Sequence, residues 1–322
     1  MTVRLLRAAD VAIGCPMVDA IDAVAGGFAA LSTGQATVPV RLAIPLRHEG
    51  VALTMPAALV GSSSYSVKVV SVAPQNALAG RPIVLATVLL GDAATGELLA
   101  LVDGTALTAL RTGAAGGVAA RALSRPGAGR VALFGAGAQA RTQLLGLVAV
   151  RPITEVRVVT RDPAHAAALR AWAAHERALG DVAIHPATAQ EAVDDADIVV
   201  TATSSRAPVF QGGWLPAGVH VTAVGSYTPE MRELDDETLR GARIVVDERR
   251  AALAEAGELR GRRDDEVIEL GEILSGRALG RTDDRQRTVF KSVGNAIQDL
   301  VVAARVYERA LELGLGEQIA FP

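Results

Sequence analysis

The segment VALFGAGAQA, residues 131–140, restricts the fold more than any other part of this chain. It joins an apolar run to a Gly-x-Gly-x-x-Ala pattern, formed by Gly135, Gly137 and Ala140, and then to the start of a helical pattern. The first glycine permits a tight turn, the second lets a pyrophosphate approach the backbone, and the small third residue lets a helix pack on a strand. The segment therefore predicts a strand, a dinucleotide-binding turn and a helix whose N-terminus favours an anion.

The rhythm of the sequence after residue 130 supports this interpretation. Short apolar runs such as EVRVVT, DIVVTAT and GVHVTAVG alternate with helical patterns such as PAHAAALRAWAAHERAL. Alternation of this kind is typical of βαβ units in a parallel sheet. We therefore expect an α/β fold with a Rossmann-type dinucleotide-binding domain over residues 117–296.

The first third of the chain has a different pattern. A helical pattern covers residues 7–32. After it, apolar runs such as YSVKVVSV and IVLATVLL are separated by turn signals without helices between them, which predicts an antiparallel or mixed sheet. The stretch GTALTALRTGAAGGVAARAL then predicts a long helix with Asp103 or Thr105 as its cap.

A final long helix is predicted within residues 284–314, with its start interrupted by KSVGN. We expect this helix to return to the first part of the chain. A second, discontinuous α+β domain would then comprise residues 1–116 and 297–322; the roles of this domain, substrate binding and dimerisation, are implied only by the family resemblance described below.

Composition argues against several classes of function. The chain has 322 residues and a formal net charge of −3, so it has no excess of positive charge to attract nucleic acid or an anionic membrane. One cysteine, Cys15, excludes a disulfide framework and a cysteine-rich metal site, and we expect no bound metal. The first residues lack the apolar region of a signal peptide, and no apolar run reaches the ~18 residues that span a bilayer. We therefore expect a soluble, cytoplasmic protein.

The second strand of the Rossmann pattern bears on the cofactor. Enzymes that bind NAD usually end this strand with an acid that binds the ribose 2′-hydroxyl. Here EVRVVTR ends with Thr160 and Arg161, and Asp162 follows in the turn. A hydroxyl and a guanidinium suit a 2′-phosphate, so we predict NADPH. The alternative is that Arg161 is only solvated and Asp162 binds the ribose, in which case NADH is the cofactor.

Lysine is rare in this chain: 32 residues are lysine or arginine, but lysine occurs only at Lys68 and Lys291. A lysine that persists against this bias suits a position that needs a compact ammonium rather than a planar guanidinium. Lys68 lies in a strand pattern of small and apolar residues, and Arg111 lies in a helix of Ala, Gly, Leu and Thr. Each of these charges needs either an ion-pair partner or an anionic ligand.

Six stretches together resemble the ornithine cyclodeaminase/μ-crystallin family over essentially the whole chain: LTMPA, YSVKVVSVAPQN, TALRTGAA, FGAGAQA, VGSYTPEMREL and TVFKSVGNAIQDL. The resemblance implies a homodimer of subunits with a Rossmann domain and a substrate domain built from both chain ends. It implies that Arg41, Lys68 and Arg111 bind the substrate carboxylate, with Arg111 beside the cofactor phosphates as well. Lys291 would lie in a loop near the nicotinamide. The cofactor would be lined by residues from several loops: Thr112, Gly137, Ala138, Gln139, Thr201, Val224, Gly225 and Ser292.

Members of this family catalyse different reactions, and Tyr227 in VGSYTPE bears on the choice. Cyclodeamination of ornithine requires proton transfers on two amines, and the cyclodeaminases have an aspartate at the position of Tyr227. A phenol with an ordinary pKa near ~10 is a poor base at neutral pH, although it can donate a hydrogen bond and add an apolar wall. Reduction of a preformed cyclic imine depends mainly on anchoring and hydride alignment.

We therefore predict NADPH-dependent reduction of Δ1-pyrroline-2-carboxylate to L-proline, and of Δ1-piperideine-2-carboxylate to L-pipecolate. Lys68 and Tyr227 are the predicted catalytic residues. Ornithine cyclodeaminase and alanine dehydrogenase are the alternative enzymes. A non-catalytic, crystallin-like NADPH-binding protein is a third alternative, against which the three predicted carboxylate-binding cations argue, because a pure cofactor binder needs no second anion site.

Overall fold

The computed structural model describes residues 2–320, which divide into two compact units. One unit comprises residues 2–111 together with 295–320, and the other comprises residues 112–294. The first unit is therefore discontinuous in sequence. The roles expected for the two parts of the chain, substrate binding with dimerisation and dinucleotide binding, stay predictions.

Strands and helices are numbered here in chain order. The strands are β1 (Thr2–Leu6), β2 (Ala36–Thr37), β3 (Leu42–Pro45), β4 (Val51–Leu59), β5 (Ser64–Val72), β6 (Val84–Asp92), β7 (Leu98–Asp103), β8 (Arg130–Phe134), β9 (Glu155–Val159), β10 (Ala183–Pro186), β11 (Ile198–Thr201), β12 (His220–Ala223), β13 (Arg243–Val246), β14 (Ile268–Glu269), β15 (Thr288–Lys291) and β16 (Glu317–Ala320). The α-helices are α1 (Ala8–Gly14), α2 (Met17–Ser32), α3 (Gly104–Leu123), α4 (Ala138–Val148), α5 (Pro163–Ala173), α6 (Ala189–Val193), α7 (Asp236–Leu239), α8 (Arg249–Glu255), α9 (Leu270–Leu274) and α10 (Ala296–Leu313). Short 3₁₀ turns lie at Pro74–Ala79, Arg177–Leu179, Gly212–Trp214, Gly257–Leu259 and Asp264–Glu266.

The discontinuous unit is built on a mixed sheet. Its strands run in the order β16-β1-β7-β6-β5-β4-β2, and β3 pairs with β4 beside β2. Strands β1 and β7 are parallel, whereas the other pairs are antiparallel. Helix α10 packs against β4, β5 and β6 and against α1 and α2. The mixed sheet agrees with the prediction drawn from consecutive strand patterns without intervening helices.

The single helix predicted over residues 7–32 is wrong in detail. The structure has a strand, β1, before it, and two helices, α1 and α2, that are bent by 81° at their junction. The bend follows from Pro16, because proline disfavours the helical conformation in the residue that precedes it. Cys15 accordingly leaves the helical region, with φ −142° and ψ 87°, and Pro16 caps α2.

Neither of these helices is long enough on its own to suggest a membrane span. Among residues 2–320, no single helix is long and apolar enough to cross a membrane, although α1 and α2 pass that test as a bent pair by length and composition. Residues of α2 that face the core, including Ile21, Val24 and Phe28, are buried within the fold.

The continuous unit contains a parallel sheet in the order β10-β9-β8-β11-β12-β15-β13-β14. All of its described neighbour pairs are parallel. The first five strands of the unit therefore follow the doubly wound order 3-2-1-4-5, with the direction of winding reversed between β8 and β11. The predicted α/β fold of Rossmann type is confirmed. Ligands of such sheets bind beyond the carboxyl ends of the strands near that reversal.

The final long helix predicted from residue 284 is also wrong in its first part. Residues Thr288–Lys291 form strand β15 between β12 and β13. Helix α10 begins only at Ala296, where the side chain of Asn295 accepts a hydrogen bond from the backbone N–H of Ile297. The helical periodicity of α10 is clear. The four residues of β15, Thr288–Lys291, are all buried, so their hydrophobic pattern does not distinguish a strand from a helix.

Helices α3 and α4 approach each other at glycines. A Cβ atom on Gly113 would lie 2.3 Å from the carbonyl oxygen of Thr142, and one on Gly146 would lie 2.3 Å from that of Gly113. The backbones can meet this closely only because neither residue has a side chain. The small residues of α3 thus fix α4, the helix that follows the glycine pattern. At the start of α3, Asp103 accepts from the backbone N–H groups of Thr105 and Ala106, so of the two predicted caps, Asp103 and Thr105, Asp103 is the one observed.

Candidate cofactor and substrate sites

Most of the predicted cofactor residues follow the carboxyl ends of parallel strands. Because neighbouring parallel strands end at the same edge of a sheet, these residues share one edge of the continuous unit. The structure places there the residues after β8, β9, β11, β12 and β15 or at the ends of those strands: Gly135, Thr160, Thr201, Val224, Gly225 and Ser292.

The glycine pattern forms a tight turn between β8 and α4. Gly135 has φ +101°, and a Cβ atom there would lie 2.5 Å from the carbonyl oxygen of Ala202, so the position requires glycine twice over. Gly137 caps α4, and a Cβ atom on it would meet no described atom within 4 Å. That open side is where a pyrophosphate would approach the backbone. Ala140, the third small residue, is fully buried.

The first turn of α4 adds polar groups to this turn. The first N–H groups of an α-helix have no acceptor within the helix and can bind an anion. Gln139 lies in this turn, and its side-chain Oε1 is buried without a hydrogen-bond partner among residues 2–320. A buried acceptor of this kind suits an N–H or O–H group of a ligand or a water molecule. Together with Gly135, Gly137 and Ala138, it fits a dinucleotide.

The three polar residues in the turn after β9, Thr160, Arg161 and Asp162, have different surroundings. The Thr160 hydroxyl donates a hydrogen bond of 2.9 Å to the carbonyl oxygen of Asp162. The Asp162 carboxylate caps α5 by accepting from the N–H of Ala164 at 2.9 Å. Arg161 is exposed between them. One oxygen of the carboxylate that would bind a ribose in the NADH alternative is thus engaged in capping a helix, and the preceding residue supplies a guanidinium.

Thr201 leads to a residue that sequence reasoning missed, Glu233. The fully buried Thr201 hydroxyl donates to Glu233 at 2.9 Å. The same carboxylate accepts from the N–H and hydroxyl of Thr203 at 2.7 and 2.8 Å and from the N–H of Gly225 at 2.8 Å. Val224 in turn donates from its N–H to the Thr201 carbonyl at 3.0 Å. Glu233 therefore ties the loop after β11 to the loop after β12, and its burial raises its pKa.

Lys291 lies in a buried network rather than in a loop, which corrects the expectation for this residue. It is the last residue of β15, and its ammonium donates to the carbonyl and hydroxyl oxygens of Ser226 at 2.6 and 2.7 Å. The Ser226 hydroxyl donates to both carboxylate oxygens of Glu258, and Lys291 lies 3.9 Å from the same carboxylate. Both charges are buried. Lys291 and Glu258 thus fix the backbone immediately before Tyr227.

Tyr227 is half-buried beside this network. Burial raises the pKa of its phenol above the ordinary value. The hydroxyl is therefore protonated at neutral pH, and it makes no hydrogen bond to another residue in the described part of the chain. Its chemistry is that of a hydrogen-bond donor and an apolar wall, not that of a base.

Ser292 and Thr112 are both buried, and each takes part in hydrogen bonds that fix the backbone of its own segment. The Ser292 hydroxyl donates at 2.7 Å to Asp247, which also accepts from the N–H of Gly294 at 2.7 Å. Asp247 follows β13 and was not predicted from the sequence. The Thr112 carbonyl accepts from the side chain of Gln143 in α4 at 2.7 Å. These hydrogen bonds fix the segment after β15 and join α3 to α4, the helix that follows the glycine turn.

In the discontinuous unit, Lys68 and Arg111 share one carboxylate, that of Asp299. The Lys68 ammonium lies 3.1 Å from Asp299 Oδ1, and Arg111 Nε lies 3.2 Å from the same oxygen. Arg111 also donates at 2.6 Å to the side-chain oxygen of Gln298. The Lys68, Asp299 and Gln298 side chains are at most 1% exposed, and Arg111 is 6% exposed. Sequence reasoning found both cations but not Asp299, which lies on the first turn of α10.

The charges of this cluster do not balance. Two buried cations face one carboxylate, and burial without full compensation lowers the pKa of Lys68 to about 8. Asp299 opposes that change, whereas Arg111 and, more weakly, Arg41 add to it. Arg41 is half-buried just before β3. The other two predicted cations therefore both act on Lys68, and the cluster suits an anionic ligand. Within residues 2–320, no group of three or more His, Cys, Asp or Glu residues is arranged to hold a metal ion.

Comparison with known proteins identifies relatives of the whole chain. The chain is 39% identical over 299 residues, 90% of its length and 91% of the relative's, to a Δ1-pyrroline-2-carboxylate reductase of Bacillus cereus. A solved structure of Thermococcus litoralis Δ1-pyrroline-2-carboxylate reductase, in complex with NADH and L-proline, has a TM-score of 0.93 at 39% identity and covers 98% of this chain and 100% of that one. An archaeal alanine dehydrogenase dimer with bound NAD has a TM-score of 0.92 at 34% identity, with full coverage of both chains.

A family profile agrees with the resemblance seen in the sequence. The profile described as the ornithine cyclodeaminase/mu-crystallin family matches residues 2–314. The chain belongs to the ornithine cyclodeaminase/mu-crystallin family.

Proposed function

We propose that this protein reduces Δ1-pyrroline-2-carboxylate to L-proline with NADPH, and that it also reduces the six-membered Δ1-piperideine-2-carboxylate. The observation that carries the proposal is the buried excess of positive charge at Lys68 and Arg111 over Asp299. Such an excess is costly unless an anion is bound there during function. The carboxylate next to the C=N bond of the substrate has the charge that this cluster requires, and reductases of this substrate are among the relatives of the chain.

Different residues of the chain would have different roles in imine reduction. When bound, the cofactor would supply a hydride to the C=N carbon of the protonated imine; the electron pair of the C=N bond would pass to nitrogen, which keeps the proton that it already carries. Lys68 and Arg111, with Arg41, bind the carboxylate and so fix the orientation of the ring. Gly135, Gly137 and the first turn of α4 hold the pyrophosphate.

Tyr227 favours reduction over the amine-based reactions of the family. Its raised pKa makes the phenol less able to act as a base at physiological pH, since its deprotonated form is scarcer than that of free tyrosine. Cyclodeamination of ornithine and oxidation of alanine both require an ammonium to lose its proton first, a step that depends on a positioned base. An imine has no such requirement. In the proposed reaction Tyr227 donates a hydrogen bond to the reacting nitrogen or to a water beside it.

The preference for NADPH rests on the turn after β9. Asp162 is engaged as the cap of α5, and Arg161 is the exposed cation beside it. A guanidinium can bind the 2′-phosphate that distinguishes NADPH from NADH. NADH remains the alternative cofactor, since the solved relatives described above contain NADH or NAD.

We also propose that the chain forms a homodimer through the open face of its mixed sheet. The pairing register places Val69 on the same face as Leu42, Ile44 and Leu85, whereas Lys68 lies on the opposite face, towards α10. These four side chains are 45–70% exposed, and a shallow depression of about 650 Å³ crosses the sheet from β1 to β4. An apolar face of this kind marks an interaction surface.

The dimer can be tested by light scattering on the purified chain. Replacement of Val69 and Leu85 by Glu should convert a dimer to a monomer. The matched control is Leu311→Glu, since Leu311 is 54% exposed on α10 and not on the sheet. An unmodified chain that is monomeric at micromolar concentration would contradict the proposal.

The enzymatic proposal is tested by cofactor consumption against a panel of substrates. The panel contains the two cyclic imines, pyruvate with ammonia, and L-ornithine, each with NADPH or NADH, or with the oxidised cofactor for ornithine. We expect oxidation of NADPH with the cyclic imines and little activity with the other compounds. A main activity with pyruvate and ammonia would identify an alanine dehydrogenase, and NADPH binding without turnover of any compound would identify a non-catalytic binder.

A further inference from the structure

Asp299 joins three separate elements of the discontinuous unit. It lies on the first turn of α10, and its Oδ1 atom is the shared partner of Lys68 from β5 and Arg111 from α3. The neighbouring Gln298 accepts from the second arm of the same guanidinium at 2.6 Å. The directions of both cations are therefore set from α10, and mainly by one carboxylate oxygen.

We propose that Asp299 is a positioning residue, whose carboxylate holds the Lys68 ammonium and the Arg111 guanidinium together as one carboxylate-binding pair. The identity of the bound carboxylate rests on the proposed function, whereas the action of Asp299 on Lys68 does not. None of the predictions drawn from the sequence assigns a role to Asp299.

The cluster differs from an ion pair that serves folding alone. A buried structural ion pair is usually neutral, and its carboxylate uses both oxygens in hydrogen bonds. Here two cations share one oxygen, and Asp299 Oδ2 and Gln298 Nε2 are both buried without a partner among the described residues. Leaving such atoms unpaired is costly. The arrangement stabilises the fold less than it could, and it keeps two cations fixed beside each other.

A consequence of this arrangement is control over the protonation of Lys68. The charged groups that act on this amine are Asp299 from α10, Arg111 from α3 and Arg41 before β3. Burial and the two arginines lower the pKa of Lys68, to about 8 in total, and Asp299 is the group that raises it. An opposite charge at this range changes a pKa by about 1–3 units. Without Asp299, the pKa of Lys68 would fall from about 8 to about 7 or below, so that half or more of the amine would be neutral at pH 7 and its affinity for a carboxylate would be weaker.

The experiment is a pH titration of Lys68 in the 322-residue chain with and without Asp299→Asn. The chain has only two lysines, so labelling with ε-¹³C-lysine gives two side-chain signals, one each from Lys68 and Lys291. We expect the Lys68 signal of the unmodified protein to titrate near pH 8. In the variant its midpoint should fall by about 1–3 pH units. Lys291 lies in a different network, so its signal serves as the internal control.

Kinetics separate positioning from a general loss of structure. The alkaline limb of kcat/KM for Δ1-pyrroline-2-carboxylate should move to lower pH in Asp299→Asn by the same amount as the NMR midpoint. In a Lys68→Arg background the additional change Asp299→Asn should not move the limb, because arginine does not titrate in this range. The matched control is Asp197→Asn, which removes a carboxylate from Arg125 and from two backbone N–H groups.

The outcomes are distinguishable. An Asp299→Asn protein whose Lys68 midpoint is unchanged would overturn the proposal. A shifted midpoint in a protein without imine reductase activity would support the role of Asp299 and contradict the proposed function. If Asp299→Asn does not fold, Asp299→Glu retains the charge but displaces it by one methylene. That variant should then raise KM about tenfold to a hundredfold, and an unchanged KM would contradict positioning.

Discussion

Replacement of Lys68 by Met should lower activity while leaving stability unchanged or higher. The change removes the ammonium but keeps an unbranched apolar chain of similar length in β5. It leaves Arg111 and Asp299 as a balanced pair at 3.2 Å. Because loss of a charge-assisted hydrogen bond costs about 1.5–3 kcal/mol, kcat/KM for the imine should fall by about tenfold to 150-fold.

The effect on stability follows from the pKa of Lys68. Its value falls from the ordinary 10.5 of a solvated lysine to about 8 in the folded chain. The unfolded chain therefore binds the proton more tightly, so the charged amine lowers stability at neutral pH, and stability rises as the pH increases from about 8 to 10.5. The shift corresponds to about 3 kcal/mol, an upper limit to what Lys68→Met can regain at pH 7.

The assay combines steady-state kinetics with denaturant unfolding, and Lys291→Met is the matched control. Lys291 is equally buried, but its loss leaves Glu258 as a buried carboxylate without its cation. Breaking such a pair costs about 3–5 kcal/mol, so Lys291→Met should be destabilised. The reasoning is refuted if Lys68→Met turns over the imine normally, or if it is destabilised as strongly as Lys291→Met.

Three further outcomes are expected. The variant Arg161→Ala should lower kcat/KM with NADPH about tenfold or more and leave the kinetics with NADH nearly unchanged. The control is Arg170→Ala, which removes another exposed arginine, on α5. Equal use of both cofactors by the unmodified protein would contradict the assignment. His220 is fully buried, and burial lowers its pKa from 6.5 to about 3, so its neutral form stabilises the fold above pH 6.5 and this contribution is lost as the pH falls. On this account the free energy of unfolding should decrease by about 2 kcal/mol between pH 7 and pH 5. The variant His220→Gln should show a weaker pH dependence, and parallel curves for the two proteins would refute the reasoning. Tyr227→Phe should lower kcat by about 10² if the hydroxyl is the donor to nitrogen, and full activity would assign to Tyr227 only the shape of its pocket.

The fold could be predicted from the sequence where local pattern and local chemistry agree. The turn at Gly135 requires a positive φ and a close approach, and both are visible as glycine between a strand and a helix. The cap of α3 at Asp103 is likewise a local feature. By contrast, the four buried residues of β15 carry no periodicity, and the bend at Pro16 was hidden by the apolar spacing on both sides of it.

The acidic residues of the two sites were the part that sequence reasoning could not find. Asp299 lies 231 positions from Lys68, and Glu258 lies 32 positions from Ser226, so only the tertiary fold brings them together. Acids are normally exposed, and nothing local marks Asp247 or Glu233 as buried. The scarcity of lysine was the useful signal, because both lysines are indeed buried in polar networks where a compact ammonium fits.

The central claim is that the chain delivers a hydride to the C=N carbon of a cyclic imino acid. The most direct measurement uses NADPH that carries deuterium at the transferring position of C4, with Δ1-pyrroline-2-carboxylate as substrate and mass and NMR analysis of the product. We predict L-proline with one deuterium at the α-carbon, one NADPH consumed per proline, and no proline or ammonia from L-ornithine. Proline without deuterium, or proline and ammonia formed from ornithine at a comparable rate, would contradict the account.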